Sequence, residues 1–270
     1  MTILQAMILG VIQGLTEFLP VSSSGHLVLA QSLLGLSDVP VAFDVALHLG
    51  TALAVVIFYA HDIGSLIAGF FVGLSRLVQH RPWNSVWAEP SFREATLLLI
   101  ATIPTGLMGV LLSGVVDQLF ASMLSVGVGW LITGVVLWLV DRLGHGGTSR
   151  MGVSQALIVG VAQGVAIAPG VSRSGLTIAG ALVAGLSREA AARFSFLVAL
   201  PAIIGAAVLE IPSSSGHIFL VPTLVGAALS TLSGYVAVGW LLRVLQRGSL
   251  KPFAIYVVIL GLLVMGWQLM

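Results

Sequence analysis

A hydrocarbon layer about 30 Å thick is crossed by roughly 20 apolar residues of helix rising 1.5 Å each. Six windows of this chain meet that requirement, approximately Val41 to Ala60, Glu94 to Val116, Ser122 to Val140, Ala190 to Leu209, His217 to Leu242 and Pro252 to Leu269. With 58% hydrophobic and only 8% charged residues, against roughly 25% charged in soluble domains, the chain is no soluble globule. The expected fold is an all-α polytopic membrane protein forming one integral membrane domain over residues 1–270. A net charge of +1 supplies no basic field for a nucleic acid, whose binding rests on many phosphate contacts. The lack of cysteine removes disulfides, thiolate metal sites and thiol redox chemistry. No Lys or Arg precedes Arg76 and no small-residue cleavage pattern follows the first apolar run, so the N-terminus reads as mature structure and not as a signal peptide.

Two further apolar stretches, Ile3 to Leu34 and Met151 to Leu186, are long enough to cross but are interrupted by Pro, Gly and Ser clusters. Irregular backbone at membrane depth is tolerated only where protein or a watery cavity covers it. These stretches therefore read as two re-entrant helix hairpins, and their breaks point to a site. Orientation follows from Lys and Arg, which concentrate in cytoplasmic loops. Arg76, Arg81 and Arg93 fall in the first long connection, Arg142 and Arg150 in the next, Arg188 and Arg193 after the second break, and Arg243, Arg247 and Lys251 in the last. The connections around Asp38, Asp117 and Pro212 carry none. Six spans then alternate with both termini outside. Only Arg173, in the middle of the second break, has no topological reason to be there.

A shift of 150 residues lays Gly10, Gln13 and Gly14 on Gly160, Gln163 and Gly164, and Val21, Ser22, Ser24 and Gly25 on Val171, Ser172, Ser174 and Gly175. The register continues without a gap to Gly35-Leu36-Ser37 against Gly185-Leu186-Ser187. Each unit, about 1–141 and about 151–270, is one broken segment plus three spans. Three is odd, so the second copy enters from the opposite face. This inverted-topology repeat places a ligand near the midplane between the discontinuous helices.

The first break carries Gln13 and Glu17 four residues apart on one helix face, then Pro20, Ser22, Ser23, Ser24, Gly25 and His26. An ionised carboxylate at this depth is expensive and marks a functional path. His26 sits at a helix start, where the macrodipole disfavours imidazolium and suits a neutral base. The second break, Pro169 and Gly170 followed by Ser172, Arg173, Ser174, Gly175 and Thr177, reads as an anion cradle. Glycine admits close approach, hydroxyls and helix-start amides donate, and the guanidinium grips phosphate with a planar fork. The competing readings are a structural Glu17–Arg173 ion pair, a His26 that only hydrogen-bonds at a helix start, and serines that are ordinary caps. The string Ser213-Ser214-Ser215-Gly216-His217 after Pro212 repeats part of the first break but reads as an exposed turn. Asp44 and His48 read as interfacial or supporting groups. The six tryptophans, Trp130 among them, mostly read as interface anchors.

These residues resemble the bacterial undecaprenyl-diphosphate phosphatases of the bacitracin-resistance type, over essentially the whole chain. The match lies in the segment Gln13 to His26 and the loop Pro169 to Thr177. The resemblance implies removal of the terminal phosphate of undecaprenyl diphosphate, recycling the lipid carrier for cell-wall synthesis at the outer face of the bacterial plasma membrane. It implies six spans with two re-entrant hairpins in inverted repeats, and dependence on a divalent cation, Mg²⁺ or Ca²⁺, with Glu17 as a metal ligand. Many members carry Glu where this chain has Gln13, which weakens the case for a charged group there. On this expectation Glu17, Ser23, His26 and Arg173 are catalytic, while Gln13, Ser22, Ser24, Gly170, Ser172, Ser174 and Thr177 bind substrate. Ser23 or a water attacks in line, and His26 or Glu17 takes the proton. The partners are the prenyl diphosphate lipid, the bilayer and, in a homodimer, a second copy. The competing class is a transporter or flippase of an anionic prenyl phosphate lipid, since inverted repeats with broken helices are a common transporter layout.

Overall fold

A computed structural model of the chain describes residues 1–36, 39–143, 147–210 and 220–269. Ser37, Asp38 and the string at 212–217 lie outside the described residues. The helices in chain order are α1 (Ile3–Phe18), α2 (Ser23–Leu33), α3 (Val41–Phe58), α4 (Ala60–Val78), α5 (Trp83–Trp87), α6 (Pro90–Leu111), α7 (Ser113–Phe120), α8 (Met123–Leu143), α9 (Val153–Val165), α10 (Arg173–Val183), α11 (Arg188–Glu210), α12 (Leu220–Arg247) and α13 (Lys251–Gln268).

Seven of these, α3, α4, α6, α8, α11, α12 and α13, are long and apolar enough to cross a membrane. Six answer to the windows read from the sequence. The seventh, α4, is a helix in a stretch that the sequence reads as connection, because His61, Asp62, Ser65, Ser75 and Arg76 dilute its apolar content. The chain is therefore a multi-span helical membrane protein. The window Glu94 to Val116 begins later than the helix and runs past its end, because Pro90 starts α6 and the backbone breaks at Leu112 before α7.

The broken stretches form where expected. Thr2 and Gln5 close a capping box at the start of α1. At its end Pro20 disfavours helical geometry for the residue before it, and Leu19 is extended at φ −66° and ψ 143°. With 16 residues in α1 and 13 in α9, these helices rise only about 24 and 20 Å, short of the hydrocarbon thickness. Both second halves stop alike. Gly35 and Gly185, related by the 150-residue shift, have positive φ (67° and 92°). The next amides reach back to the Gln31 and Ala181 carbonyls at 2.9 and 3.0 Å, the glycine-terminated helix end in each case.

Packing crosses the two halves. The principal partner of α1 is α12, and that of α9 is α6, while α8 lies along α13 and α3 along α12. A Cβ on Gly10 or Gly14 would run into the backbone of residues 226–234 in α12, one on Gly160 into the Ala101 carbonyl of α6, and one on Gly164 into the Met108 side chain. Two glycines four apart thus give each broken helix its close approach to a span of the opposite half, the way small residues drive helix packing in lipid. At one end of the bundle Asp141 of α8 accepts from the Leu250 amide (2.7 Å) and Ser249 hydroxyl (2.6 Å) and pairs with Arg188 (3.5 Å) and Lys251 (3.8 Å).

Candidate active site

The two breaks meet. The Ser174 hydroxyl donates to the Leu19 carbonyl at 2.9 Å. A Cβ on Gly25 would stand 3.2 Å from Gly170 Cα, and one on Gly175 would stand 3.4 Å from Pro20 Cβ. Helix α8 braces both. Trp130 Nε1 donates to the Val21 carbonyl (2.9 Å), and the Thr133 hydroxyl lies 3.1 Å from the Gly170 carbonyl and accepts from the Ser172 amide at 2.9 Å. Gly170 has φ 78°, and a side chain there would strike Val126. Trp130 is fully buried, which corrects its reading as an interface anchor. Its place in the middle of the Ser122 to Val140 window was the signal that it belongs at depth.

At the junction stands Glu17, 6% exposed. Arg173 Nη2 donates to Oε1 at 2.5 Å, and the Ser23 hydroxyl donates to Oε2 at 2.5 Å. Gln13 Nε2 also donates to Oε2 at 2.9 Å, and His48 Nε2 lies 3.8 Å from the same oxygen. The second face of the guanidinium is held by the Ser195 carbonyl, 3.3 Å from Nη1. An acid in hydrogen-bond contact with a hydroxyl is the geometry of an activated nucleophile, and a guanidinium beside it is suited to phosphate oxygens.

Of the residues singled out in the sequence, Gln13, Glu17, Ser23 and Arg173 share this centre. Ser22 and Ser24 adjoin it, with hydroxyls 3.2 Å apart. Ser22 caps α2 by accepting from the Gly25 amide, and Ser172 caps α10 by accepting from the Gly175 amide. Ser22 does so at φ 67°, a region a residue with a side chain seldom occupies, whereas its counterpart Ser172 has φ −75°. Such strain gathers at sites where surrounding structure fixes it. Thr177 faces away: its hydroxyl donates to the Arg173 carbonyl at 2.8 Å and meets the Ser195 hydroxyl at 2.6 Å, so it steadies the turn that carries the guanidinium.

His26 is held elsewhere. Its Nδ1 lies 2.7 Å from the Ser22 carbonyl, which only accepts, so Nδ1 carries the proton and Nε2 accepts from the Tyr256 hydroxyl at 2.8 Å. The ring stacks on Tyr256 and meets Trp130 edge-on. Among the described residues the imidazole nearest the acid is that of His48, whose Nδ1 lies 2.8 Å from the Asp44 carbonyl. An intramembrane histidine one turn from an aspartate was a readable signal. Ser195, Thr133 and Tyr256 gave none.

For a divalent cation the donors are few. No three His, Asp or Glu side chains cluster among the described residues. Beside Glu17, Gln13 Oε1 is buried and without a hydrogen-bond partner. That does not make a protein cage, but it fits an ion shared with substrate phosphates, since Mg²⁺ usually binds through one or two carboxylates plus such phosphates.

Fold and centre together define a polytopic membrane protein with a buried acid, hydroxyl and guanidinium between two broken helices. The family model for bacitracin resistance protein BacA matches residues 6–263, and the chain belongs to that family. It is similar to proteins named undecaprenyl-diphosphatase: 43% identical over 269 residues to that of Methanobrevibacter smithii (98% of this chain, 97% of the relative). The corresponding figures are 44% over 267 residues for Korarchaeum cryptofilum (98% and 99%) and 42% over 272 for Carboxydothermus hydrogenoformans (98% and 97%).

Proposed function

We propose that this chain is an undecaprenyl-diphosphate phosphatase that releases the terminal phosphate of the lipid and regenerates undecaprenyl phosphate for cell-wall synthesis. The observation that carries the reading is the convergence of Ser23 and Arg173 on the two oxygens of Glu17, in a chain whose full-length relatives bear that activity in their names.

In the mechanism that follows from this geometry, Arg173 turns its donors to the phosphate oxygens, held in aim by the Ser195 carbonyl and the Thr177 brace. Glu17 Oε2 takes the Ser23 proton as Ser23 Oγ attacks the terminal phosphorus, and the bond to the bridging oxygen breaks. The lipid monophosphate leaves with that oxygen. Glu17 passes that proton to the departing oxygen; the regenerated carboxylate then deprotonates a water that attacks the phosphoserine phosphorus, and Ser23 Oγ leaves, regains its proton from Glu17 and frees inorganic phosphate. Such transfer depends mainly on positioning and on stabilising charge at the equatorial oxygens. Glu17 and Gln13 Oε1 would hold a Mg²⁺ or Ca²⁺ arriving with the diphosphate, whose contribution is to neutralise phosphate charge. His26, tied to Ser22 and Tyr256, shapes the turn that presents Ser23.

The architecture in this reading is an inverted repeat with two re-entrant hairpins. What supports it is the swapped packing of α1 on α12 and α9 on α6 and the shortness of α1 and α9. The protein resides in the plasma membrane, both termini and the site opening facing outward, on the strength of the basic residues gathered in alternate connections.

The test is phosphate release from undecaprenyl diphosphate by purified protein in detergent, where no gradient exists. Turnover that disappears in Arg173→Ala is expected. Retained lipid binding without any phosphate release would overturn the hydrolase and favour lipid transport.

A further inference from the structure

We infer that α4 does not cross the bilayer but lies along one leaflet, an amphipathic surface helix whose partner is the lipid interface. The helix has the length to span, yet both of its ends are tied to one end of α6. Near its start, Asp62 accepts from Arg193 Nε at 2.8 Å, and the same guanidinium donates through Nη1 to Glu94. Near its finish, Arg76 pairs with Glu89 at 3.6 Å. Asp62 and Arg76 are separated by about 21 Å of helix, whereas Glu89 and Glu94 are about 7.5 Å apart along the chain axis at the start of α6. A crossing helix would need its ends on opposite faces, about 30 Å apart. Between these ties Gly69 abuts Ser91, Gly73 abuts Phe92 and Phe70 stacks on the Phe92 ring, so the second half of α4 is pinned against the first turn of α6.

The side chains divide into three faces. Asp62, Leu66, Gly69, Phe70 and Gly73 pack inward. Ile67, Phe71, Leu74 and Val78, spaced at helical intervals, form an apolar strip 54, 65, 40 and 79% exposed. His61, Ser65, Ser75 and Arg76 occupy the remaining face and are exposed as well, with the exposed Val72 among them. A lipid-immersed span has no use for that last face. A helix in the interface uses both, apolar side to the acyl chains and polar side to water. The flanking residues are of interfacial type: Trp83 stacks on Trp87 at 5.3 Å, next to Arg76, Arg81 and Arg93, and Trp and Arg are the residues that settle at headgroup depth.

The absence of native cysteine makes the test free of background. Single variants Ser65→Cys, Ser75→Cys, Ile67→Cys and Phe71→Cys are prepared in the full chain, with Ser149→Cys and Ser113→Cys as references for the two faces. Each is exposed to a membrane-impermeant maleimide in sealed vesicles of both orientations, and phosphate release reports folding. Positions 65 and 75 should react from the same side as 149, position 113 only from the other, and 67 and 71 from neither. Labelling of 65 and 75 from opposite sides, protection of both from either side, or ready labelling of 67 and 71 would overturn the proposal.

Discussion

Ser23 and Arg173 stand at equivalent places in two segments related by a shift of 150 residues, each the first residue of its helix, and they bind opposite oxygens of one carboxylate at 2.5 Å each. The relationship is asymmetric in chemistry though regular in geometry. One segment supplies a hydroxyl and the acid, the other supplies the cation, and the place answering to Glu17 in the second segment is Ile167. A single charge-balanced centre results, where two like copies would have put two buried carboxylates or two buried guanidinium groups against each other.

Removing the cation alone should therefore cost both activity and stability. Arg173→Ala leaves Glu17 buried and uncompensated, a loss of about 3–5 kcal/mol for a broken buried pair. The double variant Glu17→Gln with Arg173→Ala should regain a higher Tm than Arg173→Ala and stay inactive. A Tm for the double variant at or below that of Arg173→Ala would show that the pair is not coupled. Arg173→Lys should keep most of the stability and lose most of kcat, because a point charge lacks the fork.

Ser23→Ala should abolish turnover while leaving lipid binding in place, since its hydroxyl donates to the acid and does not hold the fold. Rapid quench of the parent protein with labelled substrate should trap phosphate on the peptide containing Ser23. Absence of any adduct with normal burst kinetics would transfer the attack to water, with Glu17 still the base.

The two histidines should separate in effect. His26 reaches the Ser22 carbonyl and Tyr256 but not Glu17 or Ser23 among the described contacts, so Tyr256→Phe should lower kcat only several-fold by loosening the turn. His48→Gln, beside Glu17 at 3.8 Å, should alter the pH profile of kcat, which Tyr256→Phe should leave in place. Steady-state profiles of the two variants decide this, and identical profiles for His48→Gln and the parent would remove His48 from the reaction.

How much of this could be read from the chain depends on range. Features written in local spacing were legible: the Gln13 and Glu17 pair one turn apart, the breaks at Pro20 and Gly170, the long apolar windows, and the 150-residue register that pairs Gly35 with Gly185. Features set by contact across the sequence were not. The sequence offers His26, alongside Glu17, as a base because it sits at a helix start that disfavours imidazolium, whereas the fold turns its ring to Tyr256, 230 residues away, and sets His48 of α3 beside Glu17. Ser172 and Ser174 look like phosphate donors in a string, but the Ser172 hydroxyl caps α10 and that of Ser174 crosses to Leu19. Residues 60–78 do not read as a helix in the sequence because polar residues recur along one face, which lowers any linear average.

Gln13 makes the last prediction. Its Nε2 donates to Glu17 Oε2 at 2.9 Å, while its Oε1 is buried without a partner. Gln13→Glu would exchange that donor for a second carboxylate one helical turn from the first, where like charges repel. Arg173 already serves the far oxygen of Glu17 and cannot neutralise both. A divalent ion between the two acids can, so the variant should fall below the parent in activity and Tm when cations are chelated, and recover when Mg²⁺ is restored. Its half-activating Mg²⁺ concentration should lie below that of the parent, because a charged oxygen ligand replaces a neutral one. The Mg²⁺ dependence of phosphate release, measured side by side in chelator-treated protein, checks this. An unchanged dependence would place the activating ion away from this helix face and leave Gln13 as a structural donor only.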